Sequence, residues 1–155
     1  MREIKFRAWE KNMKEIIPVY QIDFEKRMIN TESAWRFFNE IKLMEYTGLK
    51  DKNGKDIYEG DILHVFEDSH YGGEYHAPIE WIHYENDGEE WAFFGTVCLK
   101  VKEIKHYNPN VNTIFTRGFL TRRYGSCIEL SEMTSRNYSI QVVGNIYENP
   151  ELIIE

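Results

Sequence analysis

Residues 45–66 read EYTGLKDKNGKDIYEGDILHVF, and one dipeptide in that run restricts the fold more than any other. Asn53-Gly54 is the strongest short-range hairpin signal. A two-residue type I′ turn needs positive φ at both central positions, which Asn and Gly tolerate. Strands are therefore predicted on either side, at about 43–50 and 55–59. Glu59-Gly60-Asp61 reads as a second turn, with Gly60 left-handed and Asp61 bonding its own nearby backbone. Ile62 to Phe66 alternates into a further strand.

The same period recurs along the chain. Ile4, Phe6 and Ala8 alternate with Lys5 and Arg7, so 3–9 is a strand with one wet face. Glu10-Lys11-Asn12 turns the chain into a return strand, Ile16 to Phe24, whose Pro18 suits a sheet edge. Ala34, Trp35, Phe37, Phe38 and Ile41 have helical spacing instead, with Thr31 or Ser33 as cap, and predict one short helix over 31–41. Asp68 to Pro78 reads as a loop. Pro78 to Tyr84 and Trp91 to Phe94 read as strands joined through Asn86-Asp87-Gly88. Val97 to Lys105 alternates, Asn108-Pro109-Asn110 turns, and Ile114 to Leu120 and Ser126 to Leu130 predict strands. Ser131 to Asn137 predicts one helical turn and Ser139 to Tyr147 a strand. Asn149 caps a terminal helix over 150–154, with Pro150 at its first position.

Composition agrees with a mainly β chain. Of 155 residues, 4 Trp, 10 Tyr and 9 Phe are aromatic, a class that favours strands. No run approaches the ~18 apolar residues of a membrane-spanning helix. The start, Met1-Arg2-Glu3-Ile4-Lys5, lacks a signal peptide's apolar segment, and Cys98 and Cys127 are too few for a disulfide framework. These features predict a cytoplasmic protein with reduced thiols and no membrane partner. There is no GxGxxG, Walker A, HExxH or GxSxG. The net charge of −7 argues against a protein that holds nucleic acid mainly through phosphates. The charge is uneven, with an acidic run over 51–95 and a basic one over 100–123.

Three blocks of the sequence resemble the YopX family of phage and prophage proteins: MREIKFRAW at the start, LMEYTGLKDKNGKDIYEGDIL from Leu43 to Leu63, and VVGNIYENPEL from Val142 to Leu152. Residues 64–140 match no motif of that family. The resemblance implies a mainly β protein containing an SH3-like barrel, a phage or prophage origin, and a bacterial cytoplasmic setting. It implies no activity. The expected layout is one domain over 1–155. An N-terminal lobe of hairpin and helix covers 1–40. The SH3-like barrel and C-terminal turn cover 41–155.

Candidate chemistry is sparse. His64, His70, His76 and His83, with Asp68 and Glu74, offer ligand types for zinc or iron, but at spacings of no known metal motif. Asp56, Glu59 and Asp61 beside Tyr58 resemble paired catalytic carboxylates, although turn chemistry accounts for them. Cys98 and Cys127 lack a neighbour that would activate a thiol. No catalytic residue, metal ligand or cofactor is therefore assigned, and the chain is read as a non-enzyme. Two binding surfaces remain. The many aromatics predict a homo-oligomer, or a phage or host protein as partner, through Trp81, Tyr84 and Trp91 near the Asp87-Gly88 turn, or through Trp9 on the N-terminal strand. The alternative is a nucleic-acid-binding barrel whose basic face is Lys100, Lys102, Arg122 and Arg123, with Tyr107, Phe115, Phe119 and Tyr124 to stack on bases. The acidic run also allows DNA mimicry, against the plainer reading of a solvated surface.

Overall fold

The structure is a computed structural model that describes residues 1–68, 73–97, 100–106, 127–135 and 137–154. It is mainly β. Fourteen strands among these residues form antiparallel sheets, and three-residue 3-10 turns lie at Phe38–Glu40, Glu132–Thr134 and Pro150–Leu152. The strands predicted at 114–120 lie outside the described residues, as does the Asn108-Pro109-Asn110 turn.

The N-terminal strand β1 (Phe6–Glu10) lies inside a four-stranded sheet, between β2 (Glu15–Pro18) and β6 (Ile41–Lys50), with β7 (Asp56–Tyr58) beyond β6. Pro18 sits on the edge strand, where its missing N–H breaks no ladder. β1 is not an edge, so it offers no free backbone to a second chain. The sheet also crosses residue 40, because β1 pairs with β6 from Phe6↔Glu45 to Glu10↔Ile41. The two parts of the expected layout thus share one sheet.

A small sheet of β3 (Gln21–Asp23), β4 (Met28–Asn30) and β5 (Trp35–Phe37) replaces the helix predicted over 31–41. Thr31 does not cap a helix; its N–H bonds the Ala34 carbonyl at 2.8 Å and closes the β4–β5 turn. Burial alternates from Ala34 to Glu40, with Trp35 and Phe37 outward. Ala34 and Phe38, four residues apart, fit both periods, and pairing with β4 decides for the strand. This sheet and β1 enclose a minor core of Ala8, Ile29 and Ile41.

The major core lies between two further sheets. One has the order β12 (Lys102–His106), β9 (Gly73–Pro78), β8 (Asp61–Glu67), β14 (Tyr138–Asn145). The other is β10 (Glu80–Asn86), β11 (Glu89–Val97), β13 (Cys127–Glu129). Leu63, Val65, Tyr75, Ala77, Phe94, Ile128, Leu130, Met133 and Ile140 are buried there. β9 corrects the predicted loop over 68–78. Tyr75 and Ala77 face the core while Glu74 and His76 face outward, an alternation too short to stand out beside the glycines. The chain changes sheets between Val97 and Lys102, which interrupts the strand predicted over 97–105.

Two turns exchange roles. At Asn53-Gly54 only Gly54 has positive φ, +78°. Gly54 N–H bonds the Asp51 carbonyl at 3.0 Å and Asp51 N–H bonds that of Lys55 at 2.8 Å. This is a three-residue loop with a left-handed third residue, not a type I′ turn. Asp87 and Gly88, at +51° and +81°, instead form the two-residue turn between β10 and β11. Gly60 is left-handed as predicted, at +86°.

Candidate binding site

The three sequence blocks converge where β8 begins. Arg7 from the first block forms an ion pair with the buried Asp61 from the second. Asp61 Oδ2 also accepts the Tyr58 N–H at 2.8 Å, and the Arg7 guanidinium lies 4.5 Å from the Tyr58 ring centre. Burial pushes the Asp61 carboxyl above its ordinary value, against the pull of Arg7 and the Tyr58 N–H. Trp9 stacks on Tyr147 of the third block, with ring centres 5.8 Å apart. The Gly60 carbonyl accepts the Ile146 N–H at 2.8 Å.

The third block satisfies itself. Asn145 Oδ1 accepts N–H groups from Tyr147 at 3.0 Å and Glu148 at 2.9 Å, and its amide donates to Glu148 at 2.7 Å. Asn149 does not cap the terminal turn. Its Oδ1 turns back to accept the Asn145 N–H at 3.3 Å. The carboxylates beside Tyr58 are likewise engaged. Asp56 pairs with Lys5 at 2.7 Å and with Lys50, and its carboxyl is lowered chiefly by the hydrogen bonds from those two lysines. Burial pushes the Glu59 carboxyl above its ordinary value, against the pull of the Trp81 backbone N–H. Asp56, Glu59 and Asp61 therefore have three separate sets of partners.

Beside this junction lies a groove of about 470 Å³ between β6, the β10–β11 hairpin and the segment after β13. Arg2, Leu49, Trp81, Ala92, Phe94 and Leu130 are among its lining residues. Gly48, at φ +86°, gives Arg2 room: a Cβ there would meet Arg2 Cγ at 2.7 Å. Arg2 in turn pairs with Glu45 at 2.5 Å and sits 5.6 Å from the Phe94 ring centre. Trp81 packs edge-on against Phe94, ring centres 4.8 Å apart, and stays 48% exposed.

The sequence-predicted residues divide. Trp81 is opposite Phe94 in the hairpin register, and Trp91 is three residues from Phe94. Strand alternation therefore puts Trp81 and Trp91 on opposite faces, although both are exposed. Tyr84 pairs with Trp91 in the register. Trp9 is occupied within its own chain by Tyr147. Lys100 pairs with Glu80 at 2.7 Å, and Lys102 Nζ donates to the carbonyls of Glu151 at 3.0 Å and Ile154 at 2.7 Å. Arg122 and Arg123 lie outside the described residues, as do Tyr107, Phe115, Phe119, Tyr124, His70 and Cys98. His83 pairs with Glu90 on the hairpin, while His64 and His76 stand opposite each other on β8 and β9. Sequence reading missed Arg2 and the groove, which depend on Gly48 standing beneath the N-terminal arm.

The sequence model of the family described as YopX protein matches residues 5–154. A crystal structure of protein EF1440 from Enterococcus faecalis is similar at 24% identity, covering 99% of this chain and 100% of that one, with a TM-score of 0.49. No curated protein matches the chain. No helix among the described residues is long and apolar enough to cross a membrane.

Proposed function

The chain belongs to the YopX family, and from that premise we propose that it is a phage or prophage accessory protein that acts without catalysis, by binding protein. Its first partner is a second copy of itself, in the cytoplasm of a bacterial host. The observation that carries this reading is Trp81, a large ring half exposed on a hairpin beside an apolar groove. Tryptophan in such a position is the residue type most enriched among interface anchors. The groove also presents both signs of charge, Arg2 and Glu129. A two-fold interface brings a patch against its own copy, so mixed charge favours self-pairing. The non-catalytic part of the reading is supported by the separate engagement of Asp56 and Asp61 by cations.

Ala92→Arg tests this reading. Ala92 is exposed, lines the groove and pairs with His83 on the Trp81 face. Light scattering after size exclusion should give a mass above one chain for the native protein and one chain for the variant, with unchanged circular dichroism. An unaltered oligomer in the variant would place the interface elsewhere.

A further inference from the structure

On the outer face of the four-stranded sheet, Lys102, His76, His64 and Gln141 stand opposite one another across β12, β9, β8 and β14. The two imidazoles face each other at right angles with centres 5.7 Å apart. His64 Nε2 bonds Glu74 Oε2 at 3.1 Å and His76 Nδ1 bonds the Leu152 carbonyl at 2.9 Å. A carboxylate and a carbonyl can only accept, so each ring donates through the nitrogen named. In the neutral rings that leaves His64 Nδ1 and His76 Nε2 as the lone-pair nitrogens. An outer acceptor that fixes tautomer and ring orientation is the usual support of a metal-ligating histidine.

We propose that His64 and His76 form a two-histidine site for a borderline divalent cation such as zinc, with water completing the coordination. A zinc ion ~2.0–2.1 Å from one nitrogen of each ring lies about 3.2 Å from each ring centre, so tetrahedral ligation sets the centres about 5.2 Å apart. The observed spacing of 5.7 Å is about 0.5 Å wider than that. Among the described residues no three His, Cys, Asp or Glu side chains are gathered to hold a metal, so the protein supplies two ligands here. Glu74 offsets the cation's charge from its place on His64. The ammonium of Lys102 is held by main-chain carbonyls. Because His76 also holds Leu152, the bound ion would tighten the seat of the 150–152 turn on the sheet.

Calorimetric titration of untagged, chelator-treated protein with zinc chloride tests the site, with magnesium chloride as the control for a hard cation. Saturable binding of one zinc ion is expected, weakened at least about tenfold by His64→Ala and by His76→Ala, and unaltered by His83→Ala. Should a variant unfold, the imidazole proton resonances of the native protein decide: zinc must shift those of both His64 and His76. Absence of zinc binding, native affinity in a folded His64→Ala protein, or unshifted His64 and His76 signals would overturn the proposal.

Discussion

Asp51 and Val142 are 91 residues apart in sequence and joined at 3.0 Å, the Asp51 Oδ2 accepting the Val142 N–H. The other carboxylate oxygen accepts N–H groups from Asn53 at 2.8 Å and Lys55 at 2.9 Å. One side chain thus closes the β6–β7 turn and clasps it to β14. Hydrogen bonds to a charged group are each worth ~1.5–3 kcal/mol, and the released Val142 N–H is left buried. Asp51→Ala should therefore destabilise the protein by about 3 kcal/mol in urea unfolding.

The same clasp sets an acid limit. Burial alone would raise the Asp51 carboxyl, but bonds from Val142, Lys55 and Asn53 bring it below its ordinary 3.8. A carboxyl depressed by folding contributes stability that is present above its unfolded pKa and lost as pH falls through the folded one. The native protein should lose stability below pH 3.8 more steeply than Asp51→Asn does, as read from denaturation midpoints against pH.

Arg7→Met should cost about 3 kcal/mol at neutral pH, because it strands the buried Asp61 carboxylate without its cation. Asp61 already binds its proton more tightly in the fold than its ordinary value. The loss should therefore shrink as pH falls and Asp61 is neutralised. A cost that stays constant from pH 7 to pH 4 would show that Arg7 acts through packing on Tyr58 instead.

Gly54→Val and Gly95→Ala separate strain from crowding. A Cβ at Gly54 meets nothing within 4 Å, but φ is +78°, so Gly54→Val should cost about 1–2 kcal/mol and Gly54→Asn less. At Gly95 a Cβ would overlap the Ile128 carbonyl oxygen of the neighbouring strand. Gly95→Ala should cost about 2 kcal/mol through a forced shift of β13. Thermal unfolding of the three variants gives the order.

The β class was legible because Ile4 to Ala8 and Ile62 to Phe66 alternate over enough residues to exclude a helix. Residues 34–41 misled because Ala34 and Phe38, four residues apart, satisfy both periods, and only the ladder to Met28–Asn30 distinguishes them. The Asn53-Gly54 hairpin was placed correctly and its turn type was not, since Asp51 draws the turn one residue wider. At the surface, Trp81 and Trp91 are both exposed. Their separation onto opposite faces follows from a register that composition does not contain. Trp9 could not be distinguished from them in sequence, because its partner Tyr147 lies 138 residues away.

Self-association through the Trp81 face is the centre of this account, and sedimentation equilibrium over a concentration series measures it most directly. The native protein should rise above the mass of one 18.6 kDa chain as concentration approaches tens of micromolar, and Trp81→Ala should remain a folded monomer throughout. A native protein that stays at one chain mass across the series, or a folded Trp81→Ala variant that associates as strongly as the native one, would contradict it.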